Sequence, residues 1–114
     1  MANSEHEILS EEGLREKYRD FYARGSPTPV QRAKVPEGLW PLVPYAEFWG
    51  IVDDGARERL VRSAPADVLE NLRQVVQQFE DALDAWLAGI EASRSPPSRE
   101  YLAFSALRMA ADLA

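Results

Sequence analysis

An all-α domain of four to five helices is the fold this sequence predicts, and three observations predict it. Apolar residues between Val68 and Ile90 recur at steps of three and four, and turn-forming residues separate the periodic stretches from one another. No segment shows the period-two alternation and β-branched enrichment of a strand. With 114 residues the chain has the size of one domain able to bury its own core. Residues 1–114 are therefore read as a single helical unit: a first helix over 10–24, an extended connector over 25–38 and a helical core over 39–114.

The first helix rests on Leu14, Tyr18, Phe21 and Tyr22 at helical spacing, with Arg15, Glu16, Lys17, Arg19 and Asp20 on the other faces. Ser10 is its expected N-cap, Leu9 and Leu14 form a hydrophobic staple, and Gly25 supplies the stop. Ser4 and Glu7 also have capping-box spacing and offer an earlier start. The connector, GSPTPVQRAKVPEG, holds three prolines and two glycines, which exclude a helix. It either lies across the surface with Val30 and Val35 tucked in or leaves the first helix loosely tethered.

Trp40, Tyr45, Phe48 and Trp49 then crowd between Gly38 and Gly50, and Pro41 and Pro44 can each open a short helix. Asp53 or Asp54 caps the next one, DDGARERLVR, of about three turns. Pro65 begins the longest periodic stretch, carrying Val68, Leu72, Val75, Val76, Phe79, Leu83, Trp86 and Leu87. A helix from Pro65 to Ala88 would be about 36 Å long and would serve as the central element, with Gly89 as its stop. Ser98 caps a last helix whose Ala103, Ala106, Ala110 and Ala111 permit close approach to a neighbour. The two C-terminal helices are expected to pair antiparallel.

The catalytic inventory is thin. No cysteine is present, so thiolate nucleophiles, disulfides and cysteine-ligated metals are excluded. His6 is the sole histidine and falls in a terminus expected to fray, so neither a Ser-His-Asp triad nor a two-histidine zinc site is expected within the chain. No HExxH, Walker A, GxGxxG or EF-hand pattern occurs. Asp53 with Asp54, or Asp81 with Asp84, are the carboxylate pairs that acid-base or cation chemistry would use, though the first is also a cap and the second a solvated face. Phe48, Phe79 and Trp86 are expected in the core. No cofactor and no metal site is expected.

The net charge of −6 argues against a sequence-independent nucleic-acid binder, so no nucleic-acid partner is expected. The N-terminal MANSEHEILSEE is polar and acidic, and no run approaches the roughly 20 apolar residues of a membrane span, so a cytoplasmic protein is expected. Charge is uneven. Residues 74–91 carry Glu80, Asp81, Asp84 and Glu91 with no basic residue, whereas Arg57, Arg59 and Arg62 follow the aromatic stretch. Such asymmetry favours a basic partner at one surface.

The run PYAEFWGIVDDGARERL, with the later REYLAFSALRMAADLA, resembles a pattern in small bacterial proteins of unknown function and spans most of the chain after Leu39. In size, acidity and helical build the chain also resembles immunity proteins, which neutralise a toxin by plugging its site. That likeness is one of general character and implies no particular binding residue.

The function expected from the residues is a non-enzymatic protein-binding module, of the immunity or antitoxin type, facing a basic partner protein. Its candidate contacts are Glu80, Asp81, Asp84 and Glu91 for steering, Trp40 or Trp49 as apolar anchor, and Arg57 and Arg59 beside them. Two other readings stay open: a self-associating structural protein, for which a homodimer is the simplest form, and a small-molecule or metal-binding protein built around Asp53, Asp54 and the aromatics.

Overall fold

Ser10 Oγ accepts the Gly13 N–H at 3.1 Å and opens the first helix at the expected residue, with Leu9 and Leu14 both buried beside the cap. The computed structural model describes residues 8–23, 29–50, 53–94 and 96–114. The alternative start at Ser4 and Glu7, His6, and the stop at Gly25 lie outside them. Helix α1 spans Glu11–Lys17, Tyr18 leaves helical geometry at φ −121°, and α2 continues over Arg19–Tyr22. Phe21 and Tyr22 are buried against α3 (Val43–Trp49), with the Tyr22 and Phe48 rings 4.1 Å apart and the Phe21 and Trp49 rings 5.7 Å apart. The first helix is therefore docked through an aromatic cluster, and the tethered alternative is set aside.

The described part of the connector lies across the surface. Val35 is buried, Val30 half-buried, and a short 3-10 turn forms at Arg32–Lys34. Pro41 does not open a helix; it sits inside a 3-10 helix, Glu37–Leu42, that runs directly into α3. A proline ring clashes with the carbonyl four residues back in an α-helix, and the tighter form relieves that clash. Pro44 lies in the first turn of α3, where its missing N–H costs nothing.

Helix α4 spans Asp54–Ser63 and is capped by Asp53, whose Oδ1 accepts the Ala56 N–H at 2.9 Å. Helix α5 (Ala66–Gln78) starts after Pro65, and α6 covers Glu80–Ser93. Helix α7 (Arg99–Leu113) is capped by Ser98, which accepts the Tyr101 N–H at 3.1 Å. These seven α-helices, with no strand among the described residues, form a single all-α domain. Its radius of gyration, 13.5 Å, matches the value of about 13 Å for a folded domain of this length. None of the described helices is long and apolar enough to cross a membrane.

Two expectations are corrected. The single long helix from Pro65 is interrupted at Phe79, with φ −115° and ψ 13°, where the amide bonds back three residues to Val76 O at 3.0 Å. No glycine or proline marks that point, and the apolar steps continue across it, so periodicity alone shows one helix. The bend lets α5 and α6 both lie against α7, which is the true central element: it packs on α3, α4, α5 and α6. Gly89, expected as a stop, lies inside α6, which ends at Arg94 in the left-handed region at φ 60°. A Cβ at Gly89 would meet nothing, so the backbone is not using its freedom there.

The antiparallel pairing of α6 and α7 holds. Tyr101 reaches Glu91, Phe104 meets Trp86 edge-on at 5.4 Å, and Arg108 reaches Asp84, so residue numbers rise along one helix as they fall along the other.

Of the described glycines, Gly50 has the least room around it. A Cβ there would lie 2.3 Å from Ala46 O, 2.8 Å from Ala103 O and 2.9 Å from Ala103 Cα, all backbone atoms with no side chain to swing away. Ala103, Ala106, Ala110 and Ala111 are buried on α7, and their small size permits this approach.

Opposite responses are expected at these two glycines. Gly50→Ala should destabilise by about 1–3 kcal/mol or prevent folding, because backbone must move. Gly89→Ala should stabilise by roughly 0.5–1 kcal/mol, since it removes chain entropy inside a helix at no steric cost. Urea midpoints of the two variants against the parent check both.

Candidate functional site

Trp40 sits in the 3-10 helix Glu37–Leu42, and its position comes from a hydrogen bond shared two ways. Its Nε1–H donates to Arg32 O and Val35 O, each at 3.0 Å, so the indole is pinned against the connector while 36% of the residue faces outward. This is the expected surface tryptophan. The connector in turn is held by two carboxylates: Glu47 Oε2 on α3 accepts the Val30 N–H at 3.2 Å, and Glu100 Oε2 on α7 accepts the Gln31 N–H at 2.9 Å. The consecutive Val30 and Gln31 amides, which lie just before the Arg32–Lys34 turn, are thus answered by side chains.

Trp49 is not a surface anchor. It is fully buried at the centre of the aromatic cluster, and its Nε1–H donates to Tyr22 Oη at 2.9 Å. Burial pushes the Tyr22 phenol well above its ordinary pKa, so it stays neutral in this contact. Helical spacing explains the difference: within α3, Pro44, Tyr45, Ala46 and Trp49 all face inward, and Phe48 is half-buried beside them. Arg57 is also corrected, since only 6% of it is exposed on α4. Arg59 remains exposed, close enough to Asp53 for its charge to act there. The expected cluster of two tryptophans with arginines therefore divides, leaving Trp40 on the surface apart from buried Trp49 and Arg57.

The acidic face on α6 is real but partly answered from within. Arg108 on α7 donates from Nη2 to Glu80 at 2.9 Å, from Nε to Asp84 at 3.1 Å and from Nη1 to Asp112. Partial burial alone would lower its pKa, but hydrogen bonds to Asp84 and Asp112 outweigh that and raise it. Glu91 accepts from the Tyr101 hydroxyl at 2.9 Å, which raises the phenol's pKa. Asp81 is exposed. Three carboxylates around one guanidinium still leave an excess of negative charge at this end of the α6–α7 pair.

An open groove of about 510 Å³ lies beside this cluster, lined by Glu70, Arg73, Gln74, Gln77, Glu80, Arg108 and Asp112 among others. Its lining mixes these polar side chains with Val76, Ala111 and Ala114, and Arg73 pairs with Glu70 across one helical turn. Among the described residues, no group of three or more histidine, cysteine or carboxylate side chains is placed to hold a metal ion. Asp53 is engaged as a cap.

Several structural residues lie outside the sequence-derived set. Tyr45 Oη accepts the Leu9 N–H at 3.2 Å and donates to Asn71 Oδ1 at 2.8 Å, joining the N-terminal segment, α3 and α5 inside the core. Asn71 carried a signal, being a lone amide within the apolar stripe of Val68, Leu72 and Val75. Glu47 and Glu100 carried none, because both look like ordinary helix-surface acids. Their partners are 17 and 69 residues away, respectively.

No protein-family model, no curated protein and no solved structure matches this chain.

The Asp53 cap makes an acid-stability prediction. The Ala56 N–H, aided by the Gly55 amide and nearby Arg59 and Arg57 charges, lowers the carboxyl below its ordinary value of 3.8. A folded pKa below the unfolded one gives stability that is present above pH 3.8 and is lost as pH falls through the folded value. Asp53→Asn keeps a capping oxygen without the titration. Its melting temperature should fall less than the parent's on acidification below pH 3.8, as followed by circular dichroism.

Proposed function

We propose that this protein is a non-enzymatic protein-binding module that acts in the cytoplasm, and that its partner is a basic protein, as for an immunity or antitoxin-type inhibitor. The observation that carries the reading is the adjacency of two features. The 3-10 helix bearing exposed Trp40 packs against α6, the helix bearing Asp81, Asp84 and Glu91. An ordered, partly exposed tryptophan loses little conformational entropy on binding, and tryptophan is among the residues that dominate binding hot spots. The negative charge carried by the neighbouring α6 would steer a cationic partner and raise its rate of approach.

A second reading has its own observation. Leu102, Met109 and Leu113 are exposed on one flank of α7 at spacings of seven and four, the pattern of a helix that meets another helix. This supports self-association through α7.

Two measurements separate them. With the full chain as bait in lysate of the source cell, the first reading expects a stoichiometric basic protein whose capture weakens with salt and is lost in Trp40→Ala. The second expects a dimer in sedimentation that Met109→Glu dissociates and Trp40→Ala leaves intact. A monomer that captures nothing in a Trp40-dependent manner contradicts both.

A further inference from the structure

Glu100 is 2% exposed, yet only one of its carboxylate oxygens is used. Oε2 accepts the Gln31 N–H, while the buried Oε1 has no hydrogen-bond partner among the described residues. A carboxylate buried this way is a costly means of stabilising a helix, since an apolar side chain would fill the space without an unsatisfied oxygen. Its specific contribution is the acceptor it offers to the connector. The fold places that acceptor at one end of a short relay: Glu100 holds the Gln31 amide, and Gln31 immediately precedes the turn Arg32–Lys34. Arg32 O and Val35 O, at the start and just past the end of that turn, hold the Trp40 indole.

We infer that Glu100, assisted by Glu47, is a positioning residue that latches residues 29–36 as a strap and thereby sets the outward pose of Trp40. Neither carboxylate touches Trp40; both act through the strap backbone. Glu47 holds Val30 from α3 and Glu100 holds Gln31 from α7, so the strap is registered to two helices at consecutive amides. Releasing them frees the carbonyls that fix the indole and lets the side chain sample other rotamers. The latch therefore controls whether the tryptophan is presented ready-made or must be ordered on binding, which costs affinity. This significance rests on the reading of Trp40 as the partner-facing anchor, whereas the latch itself is a property of the free protein.

Hydrogen exchange of the free, ¹⁵N-labelled chain tests the latch without a partner. The readouts are the Val30 and Gln31 amides and the Trp40 indole N–H, each referred to the Leu107 amide in the core so that a global loss of stability cancels. In Glu100→Ala the Gln31 amide and the Trp40 indole should both exchange about tenfold faster relative to Leu107. Glu100→Gln retains an acceptor oxygen and should restore both to within about threefold of the parent. Should Glu100→Ala fold poorly, Glu47→Ala opens the other half of the latch and should speed the Val30 amide and the indole together. An indole that keeps its parent rate while Gln31 or Val30 exchanges faster overturns the inference, as does a change that merely follows Leu107. If the latch behaves as expected and Trp40→Ala still leaves partner capture unchanged, the partner reading fails and the latch stands.

Discussion

The close approach of α3 to α7 at Gly50 is the constraint from which the rest of the arrangement follows. Backbone meets backbone there, with the missing Cβ of Gly50 leaving room for Ala103. Once α3 lies on the alanine face of α7, its Phe48 and Trp49 rings become the surface on which Phe21 and Tyr22 of α2 dock. Helices α4, α5 and α6 pack on α7 as well. A larger side chain at either position would push α3 outward and leave voids between helices, and protein interiors do not accommodate those cheaply.

Side-chain hydrogen bonds do a different job from this packing. Apolar burial is non-directional and does not specify how a proline-rich segment crosses the surface. Tyr45 ties the Leu9 amide to Asn71, and Glu47 and Glu100 hold the Val30 and Gln31 amides. Each satisfies a backbone group or polar atom that secondary structure leaves open, and each joins parts of the chain far apart in sequence. The segment that poses Trp40 is thus specified by polar contacts, while the helices beneath it are specified by shape.

What could be read from the sequence divides along the same line. The caps at Ser10, Asp53 and Ser98 were legible because each acts on an amide three residues away. The α6–α7 pairing followed from a short loop between two periodic stretches. The break at Phe79 was not legible, because it carries no glycine or proline and the apolar steps run through it. The centrality of α7 was hidden as well, since its small residues look less like a core than the leucines and valines of α5. At the candidate site, Trp40 was recognisable from Gly38 and Pro41 beside it, whereas Trp49 required knowing which face of α3 turns inward. Arg57 looked like a surface arginine and is buried. Glu100 was beyond sequence reasoning, because its role is set by an amide 69 residues away.

That α7 is the element on which the others depend can be measured directly by native-state hydrogen exchange in increasing denaturant. The Leu107 and Ala110 amides should exchange only through global unfolding, with an opening free energy and denaturant dependence equal to those of the whole domain. Amides of α1 and α2 should open earlier. Exchange of Leu107 and Ala110 through a smaller opening, while amides of α5 such as Leu72 stay protected to the global limit, would contradict it.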